Sequence, residues 1–254
     1  MQAAESLALA SNPLSNLRFL EYSVPCDNVL ETLGFFQELG FTALPTNDIW
    51  NYPYAVITDG RCFLGLHEKN YFEQLTNQSR MSFVHEEIKL VTDFLKDNSF
   101  SILKSSISDD EFQHTICKGL NQADINIVAA RSFSPPPKEN RKDSLLGYFR
   151  GIVMPTANLE KSFKFWEQMG MLVMETANEN AISVSANHLN MLLVDDDNHK
   201  FPGLLFEHPK PEELLEPFAN LGINPEVSEQ CLVLNSEYLI KTPNGVNVWV
   251  KRDD

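Results

Sequence analysis

Four polar residues in the N-terminal half of this 254-residue chain could act together on a small molecule. They are Glu21, His67, Arg80 and Asn126. Their side chains can orient a polar ligand by hydrogen bonds, and the guanidinium group can also pair with a carboxylate or phosphate. Four aromatic residues could add flat apolar walls, which is the usual composition of a ligand pocket. These are Phe19, Trp50, Tyr52 and Tyr54.

These eight residues come from separate segments, so the elements around them decide whether they meet. The chain repeats itself at an offset of 130 residues, where VPCDNVLETLGFFQELGF matches MPTANLEKSFKFWEQMGM. The identical positions are Pro25 and Pro155, Asn28 and Asn158, Phe35 and Phe165, and Gly40 and Gly170. A match over a strand end and a whole amphipathic helix indicates a duplicated domain.

Within each half the order strand, helix, three strands is predicted twice. In the first module LRFLEYSV is predicted as a strand, and Asp27 as the N-cap of a helix that reaches about Leu39 and stops at Gly40. The four predicted modules span about residues 17–68, 79–131, 148–195 and 202–252. A proline-rich segment over residues 132–147 is predicted as the exposed linker between domains 1–131 and 148–254.

Acidic residues also stand where predicted strands meet predicted helices, in His85-Glu86-Glu87 and in Glu207-His208. A negative charge beside a helix N-terminus is favoured by the helix dipole. Helix capping is therefore predicted for these acidic residues, rather than catalysis.

Two motifs carry a resemblance to a known superfamily. NLEKSFKFWEQMGM is similar to the helix pattern D-L-E-K-S-x-x-F-Y-x-x-x-L-G, and TPNGVNVWV to the module ending D-P-D-G-N-x-x-E-L. The chain resembles the vicinal oxygen chelate superfamily, which includes glyoxalase I, extradiol dioxygenases and the bleomycin-resistance proteins. The resemblance implies an α+β fold in which four βαβββ modules form two cupped mixed sheets, with helices outside and a ligand site inside.

The resemblance also implies where a divalent metal would be held, by His, Gln or Glu on the first strand of a module and by Glu on its last strand. In this chain the first-strand position is matched to Phe19, Arg80, Gly151 and Gly203. The last-strand position is matched to Gly65, Asn126, one of residues 190–192, and Trp249. None of these supplies the usual ligand, so neither a metal nor another cofactor is predicted.

Residues in phase with those positions are predicted to line the cups, because side chains alternate between the two faces of a strand. The leading hypothesis is a metal-free protein that binds or sequesters a small aromatic or anionic molecule in the N-terminal cup. One alternative is a divalent-metal-dependent lyase, isomerase or dioxygenase with Glu21 and His67 as displaced ligands. Another is a non-catalytic scaffold with vestigial cups, in which Glu21 and Arg80 neutralise each other.

Composition narrows the class of partner further. A formal net charge of −15 argues against a nucleic-acid surface, and no apolar stretch is long enough to predict a membrane span. The four cysteines have no C-x-x-C spacing, which favours a reducing, cytoplasmic location. Both a monomer and a homodimer remain open, as does pairing of modules within or between the halves.

Overall fold

The structure is a computed structural model. It describes residues 12–46, 52–72, 79–108, 112–120, 123–130, 144–176, 178–186, 189–195, 202–227 and 236–253. No helix within these ranges is long and apolar enough to cross a membrane. Trp50 and residues 132–143 of the predicted linker lie outside the described residues.

The N-terminal half begins with a 3-10 turn over Pro13–Asn16 and then contains two βαβββ modules. The first module is β1 (Arg18–Cys26), α1 (Val29–Glu38), β2 (Thr42–Leu44), β3 (Tyr54–Thr58) and β4 (Phe63–Glu68). A short helix, α2 (Lys69–Phe72), follows it. The second module is β5 (Ser79–His85), α3 (Ile88–Asp97), β6 (Ile102–Ser106), β7 (His114–Cys117) and β8 (Ala123–Ala129).

The C-terminal half repeats this order. Its first module is β9 (Tyr148–Thr156), α4 (Leu159–Gln168), β10 (Leu172–Glu175), β11 (Ala181–Ala186) and β12 (Leu189–Asp195). Its second module begins with β13 (Gly203–His208), a 3-10 turn over Pro211–Leu214 and α5 (Leu215–Asn220). It ends with β14 (Glu226–Val227), β15 (Ser236–Lys241) and β16 (Asn247–Arg252). The strand predicted near residues 231–235 lies outside the described residues.

The described strands form two eight-stranded mixed sheets, one in each half. Their orders are β2-β3-β4-β1-β5-β8-β7-β6 and β10-β11-β12-β9-β13-β16-β15-β14. In each sheet the first strands of the two modules pair antiparallel in the centre, as β1 with β5 and β9 with β13. Modules therefore pair within a half, and the predicted architecture of two α+β cupped sheets is confirmed.

Helix α1 begins one residue later than the sequence predicted. Asn28, not Asp27, is the N-cap, because its Oδ1 accepts the backbone N–H of Glu31 at 3.1 Å. Asp27 instead pairs with the Nζ atom of Lys69 at 3.2 Å. The equivalent Asn158 caps α4 in the same way, so the duplication preserves this start signal.

The acidic residues beside α3 and beside the 3-10 turn over Pro211–Leu214 do not cap these elements as predicted. The Nδ1 atom of His85 accepts the backbone N–H of Glu87 at 3.0 Å, and that of His208 accepts from Lys210 at 3.1 Å. Glu87 stands at the N-cap of α3 without a side-chain hydrogen bond to the helix. Glu207 forms ion pairs on the sheet, because a β-strand residue of its phase points away from the helix layer.

One apolar core joins the helices to the sheets and continues across both halves. The rings of Phe41 and Phe206 lie 6.3 Å apart between the halves, and those of Phe100 and Phe165 lie 5.9 Å apart. The two cups are therefore faces of one packed body.

The last residues of the predicted linker are part of this packing. Ser144 donates from Oγ to the backbone oxygen of Leu39 at 3.2 Å, and Leu146 is fully buried. The exposed linker predicted over residues 132–147 therefore ends earlier, because an apolar side chain fixes residues 144–147 against the first half.

Candidate ligand site in the N-terminal cup

The N-terminal cup is the face of the first sheet that points away from α1 and α3. Tyr22, Met81 and Phe83 point into the helix-covered core, so the residues between them on the same strands point the other way. That opposite face carries buried polar side chains, each less than a tenth exposed. They are Glu21, Ser23, His67, Arg80, Ser82 and Asn126.

Glu21 is the centre of a hydrogen-bond network in this cup. Its Oε1 atom accepts from Ser23 Oγ at 2.8 Å and lies 3.1 Å from His67 Nε2. Its Oε2 atom accepts from the Tyr54 hydroxyl at 2.8 Å. Three protein donors thus compensate the removal of this carboxylate from water.

His67 extends the network to a second tyrosine. A carboxylate only accepts, so Nε2 of His67 donates to Glu21, and in the neutral imidazole Nδ1 then accepts from the Tyr52 hydroxyl at 3.0 Å. The Tyr54 ring lies beside the imidazole with its centroid 4.6 Å away. Tyr52, His67 and Glu21 therefore form a continuous chain from the tyrosine hydroxyl to the carboxylate.

The two tyrosines of this cup keep their protons. Burial raises the pKa of Tyr54, and the negative charge of Glu21 raises it further. Burial also raises the pKa of Tyr52, where the positive charge of Arg80 opposes the rise and the negative charge of Glu21 adds to it. Both hydroxyls are therefore available as donors at neutral pH. Trp50, predicted as a third aromatic wall, lies outside the described residues and stays a prediction.

A chain of hydroxyl and amide groups continues across the sheet. Ser23 Oγ lies 2.8 Å from Ser82 Oγ, and Asn126 donates from Nδ2 to Ser82 Oγ at 3.2 Å. The Oδ1 atom of Asn126 is buried and accepts no hydrogen bond from any residue within the described ranges. Such an acceptor calls for a donor from a ligand or a water molecule.

Arg80 places a buried guanidinium group beside this chain. Burial lowers its pKa, and the carboxylate of Asp124, its register partner on β8, acts in the opposite direction. Asp124 is fully buried and also pairs with Lys118 Nζ at 3.3 Å. The sequence reasoning missed Asp124, although its place two residues before Asn126 gives it the same strand phase.

Phe19, predicted to line the cup, lies in the core instead. It pairs in register with Phe83, and the two rings meet edge to face at 5.8 Å. The next pair is Glu21 with Ser82, so Leu20 is the extra residue of a β-bulge. The bulge reverses the alternation of side chains, which corrects the position predicted for Phe19.

β9 has the same bulge. The bulges show that Phe19 was wrongly matched to the first-strand metal-ligand position of the first module. Phe149 pairs with Phe206 and Gly151 with Leu205, leaving Arg150 as the extra residue. Glu21, and not Phe19, is therefore equivalent to Gly151, so a carboxylate does occupy the first-strand position of the first module.

The same positions of the C-terminal cup carry small and apolar residues. By register, the polar residues Glu21, Ser23, Tyr54, His67, Ser82 and Asn126 correspond to Gly151, Val153, Ala181, Val194, Leu205 and Trp249. All of the second set except Gly151 belong to one buried apolar cluster that also contains Leu239. One fold thus holds a polar network in one half and packed, mainly apolar side chains in the other.

Comparison with solved structures found the same fold in several enzymes. Homoprotocatechuate 2,3-dioxygenase from Arthrobacter globiformis superposes with a TM-score of 0.63 at 9% identity, over 97% of this chain and 83% of the enzyme. The 2,3-dioxygenase LapB from Pseudomonas sp. KL28 superposes with a TM-score of 0.59 at 12% identity, over 93% of this chain and 92% of the enzyme. A 4-hydroxymandelate synthase variant from Streptomyces coelicolor superposes with a TM-score of 0.57 at 12% identity, over 93% of this chain and 92% of the enzyme.

The chain has the vicinal oxygen chelate fold. The predicted resemblance is therefore confirmed at the level of fold. No protein-family model and no curated protein matched the sequence.

This fold implies a divalent metal in its enzymes, and the cup residues do not fit one. The carboxylate of Glu21 accepts from three protein donors, and His67 directs Nε2 at that carboxylate and Nδ1 at Tyr52. The pair supplies two ligating side chains at most, both already hydrogen-bonded within the network, whereas a metal site normally uses three or more protein ligands. Within the described ranges there is no group of three or more His, Cys, Asp or Glu side chains that could hold a metal ion.

Proposed function

We propose that this protein binds, and thereby sequesters, a small aromatic or anionic molecule in its N-terminal cup without a metal ion. The observation that carries the proposal is the exchange of polarity between the two cups. At equivalent positions the second half has Val153, Val194 and Leu205 where the first has Ser23, His67 and Ser82. The fold can therefore be built with hydrocarbon at these positions.

Keeping polar groups there is unfavourable for stability alone. Replacing a buried ionic or polar network by well-packed hydrocarbon is often neutral or stabilising, because desolvation opposes the gain from pairing. The buried acceptor Oδ1 of Asn126 adds to that cost. Recognition of a ligand gives a physical reason for the network.

The chemistry of the cup indicates what the ligand carries. Arg80 favours a carboxylate or a similar anion, and Asn126 Oδ1 favours a hydroxyl or amine donor. The rings of Tyr52 and Tyr54 favour a flat apolar body. A hydroxylated aromatic acid combines all three features, and solved structures of this fold include catechol 2,3-dioxygenase and homoprotocatechuate 2,3-dioxygenase.

The proposal is tested by titrating the metal-stripped protein with 4-hydroxybenzoate, benzoate and phenol in a calorimeter. We expect 4-hydroxybenzoate to bind with a stoichiometry of one and to bind more tightly than either probe that lacks one polar group. Arg80→Gln should weaken 4-hydroxybenzoate roughly 10- to 100-fold, the effect of one charged hydrogen bond. Asn126→Leu should reduce its advantage over benzoate.

Arg252→Gln is the matched control, since Arg252 is an exposed cation that pairs with Glu212 and Glu237 outside the cup. It should leave all three affinities unchanged. Absence of binding by every probe, or equal binding by the Arg80 variant, would reject the proposed site. Binding that appears only after a divalent metal is restored would instead support the metal-dependent enzyme.

The reducing compartment is also proposed. Cys26, Cys62 and Cys117 are free, buried thiols, which suits a cytoplasmic protein. Because each half completes its own sheet, the cup needs no partner chain, and we propose that the monomer is competent to bind.

A further inference from the structure

The C-terminal cup has a polar pocket that borders its apolar cluster at Leu205. We call this the Arg150 pocket; it is a cavity of ≈350 Å³. Leu192 and Leu205 contribute apolar surface to it. Its polar lining is Tyr148, Arg150, Ser183, Asn190, Glu207 and Lys251.

Two cations share one carboxylate in this pocket. Glu207, whose side chain is 8% exposed, pairs with Arg150 Nε at 3.0 Å and with Lys251 Nζ at 2.7 Å. One positive charge would neutralise the carboxylate, so the three groups together carry a charge of about +1. This local positive charge lies in a chain whose formal net charge is −15.

Arg150 retains donors that could reach a ligand. It uses Nε for Glu207 at 3.0 Å, so its two terminal nitrogens lie outside that ion pair. Its side chain is 53% exposed, so these nitrogens are accessible from solvent. A guanidinium group presents them in a planar fork that suits a carboxylate or phosphate.

The fold itself does not require polar residues at this end of a cup. By register the first sheet has apolar residues at five of the six equivalent positions: Leu20 for Arg150, Val56 for Ser183, Phe63 for Asn190, Val84 for Glu207 and Val128 for Lys251. At the sixth position Arg18 replaces Tyr148. At this end the C-terminal cup is therefore the polar one and the N-terminal cup the apolar one, the reverse of the first site. The same energetic argument applies. Burying the carboxylate of Glu207 costs desolvation free energy, which opposes the gain from its two ion pairs.

We infer that the Arg150 pocket is a second ligand site, which binds a small amphipathic carboxylate. The carboxylate pairs with the terminal nitrogens of Arg150 and with Lys251, and the hydrocarbon part covers Leu192 and Leu205. Glu207 holds the two cations in place and disfavours dianions by repulsion. The inference is independent of the site proposed in the N-terminal cup.

The test is calorimetric titration of the full chain with hexanoate, acetate, hexanol and inorganic phosphate. We expect hexanoate to bind once per chain and to bind more tightly than acetate or phosphate, because only hexanoate combines charge with an apolar body. Hexanol should bind more weakly than hexanoate. Arg150→Gln should weaken hexanoate by roughly 10- to 100-fold.

Since Arg150→Gln also removes a partner of buried Glu207, a second variant leaves all three charges in place. Ser183→Phe puts a ring into the pocket and should abolish hexanoate binding while the thermal unfolding midpoint stays near that of the wild type. Arg252→Gln is the control for loss of one positive charge on β16, and Asn126→Leu is the control for the other cup. Both should bind hexanoate as the wild type does.

Hexanoate affinity unchanged in both Arg150→Gln and Ser183→Phe would overturn the inference, as would no binding by wild type at millimolar hexanoate. Phosphate binding tighter than hexanoate would also overturn it, because the site would then be one for inorganic anions. Loss of hexanoate binding in Asn126→Leu, with Arg150→Gln unaffected, would assign the ligand to the N-terminal cup instead.

Discussion

The carboxylate of Glu21 lies across Gly65, in space that a side chain at Gly65 would occupy. Gly65 is on β4, next to β1, and pairs in register with Ser23. A Cβ atom at Gly65 would collide with both carboxylate oxygens of Glu21. The network of the N-terminal cup therefore depends on the absence of a side chain at one position of the neighbouring strand.

Gly65→Ala is expected to displace Glu21 and to separate it from His67 and Tyr54. Overpacking a well-packed interior typically lowers the free energy of unfolding by ~1–3 kcal/mol, and we expect a loss in this range by urea denaturation. Gly34→Ala in α1 is the control, because a Cβ there meets nothing within 4 Å. That variant should gain up to about 1 kcal/mol from helix propensity, and a Gly65 variant as stable as the wild type would contradict the arrangement.

Ser23→Val should destabilise the protein, whereas a transplant of the complete second cup should not. The single change removes hydrogen bonds to Glu21 and Ser82 and should lower the free energy of unfolding by about 1–3 kcal/mol. The transplant removes the whole polar network with its neighbours. It consists of Glu21→Gly, Ser23→Val, Tyr54→Ala, Gly65→Leu, His67→Val, Arg80→Gly, Ser82→Leu, Asp124→Asn and Asn126→Trp.

The transplant is expected to unfold at the same or a higher urea concentration than the wild type and to lose 4-hydroxybenzoate binding. Its glycine at position 80 provides the space that Gly203 gives to the indole of Trp249 in the second cup. A transplant much less stable than Ser23→Val would show that the polar network serves stability. Such non-additivity is the signature of residues that act as one network.

Stability should fall as pH rises above about 10, the ordinary pKa of tyrosine. Burial raises the pKa of Tyr22, Tyr52 and Tyr54. Below pH ~10 the folded and unfolded states both hold these protons; above it the unfolded state releases them while the folded state keeps them. The free energy of unfolding therefore keeps its full value below the tyrosine pKa of the unfolded state. It falls as pH rises from that value towards the higher pKa of the folded state.

Urea denaturation at several pH values between 8 and 11 measures this slope. Tyr54→Phe should reduce it by up to one proton, which is about 1.4 kcal/mol per pH unit. Tyr148→Phe is the control, since the Tyr148 side chain is 49% exposed. Equal slopes for the wild type and Tyr54→Phe would be inconsistent with a buried, protonated Tyr54.

Phe19→Ala should destabilise the protein more than Phe149→Ala, because Phe19 is buried and Phe149 is only partly buried. Each removes a ring that packs against the partner strand, on Phe83 in the first half and on Phe206 in the second. Truncation of a buried phenylalanine typically lowers the free energy of unfolding by ~3–5 kcal/mol. Denaturant titration checks the loss, and 4-hydroxybenzoate affinity should be retained in the folded fraction.

Leu30→Ala is the surface control, because Leu30 is 77% exposed, and it should change stability by no more than about 0.5 kcal/mol. If Phe19→Ala lost 4-hydroxybenzoate affinity with unchanged stability, Phe19 would have to line the cup, which is the position predicted from the sequence.

The repeat and the element order were determined by the sequence, because they rest on patterns along the chain, and the resemblance to a known superfamily then implied the two-sheet fold. The identical asparagines Asn28 and Asn158, each at the start of a helix, mark equivalent elements in the two halves. Alternation along β1 and β5 also separated the core residues Tyr22 and Phe83 from the cup residues Glu21 and Ser82. Such signals depend on neighbours within a few positions, so one chain suffices to read them.

Only the tertiary structure decided the details that make a site. The extra residue Leu20 in β1 turns Phe19 into the core, and a bulge is set by pairing with another strand. The contact of Glu21 with Gly65 and the ion pairs of Glu207 likewise join residues that are distant in sequence. The register of the paired strands determines which polar groups meet, because each side chain's neighbours across a sheet come from other parts of the chain.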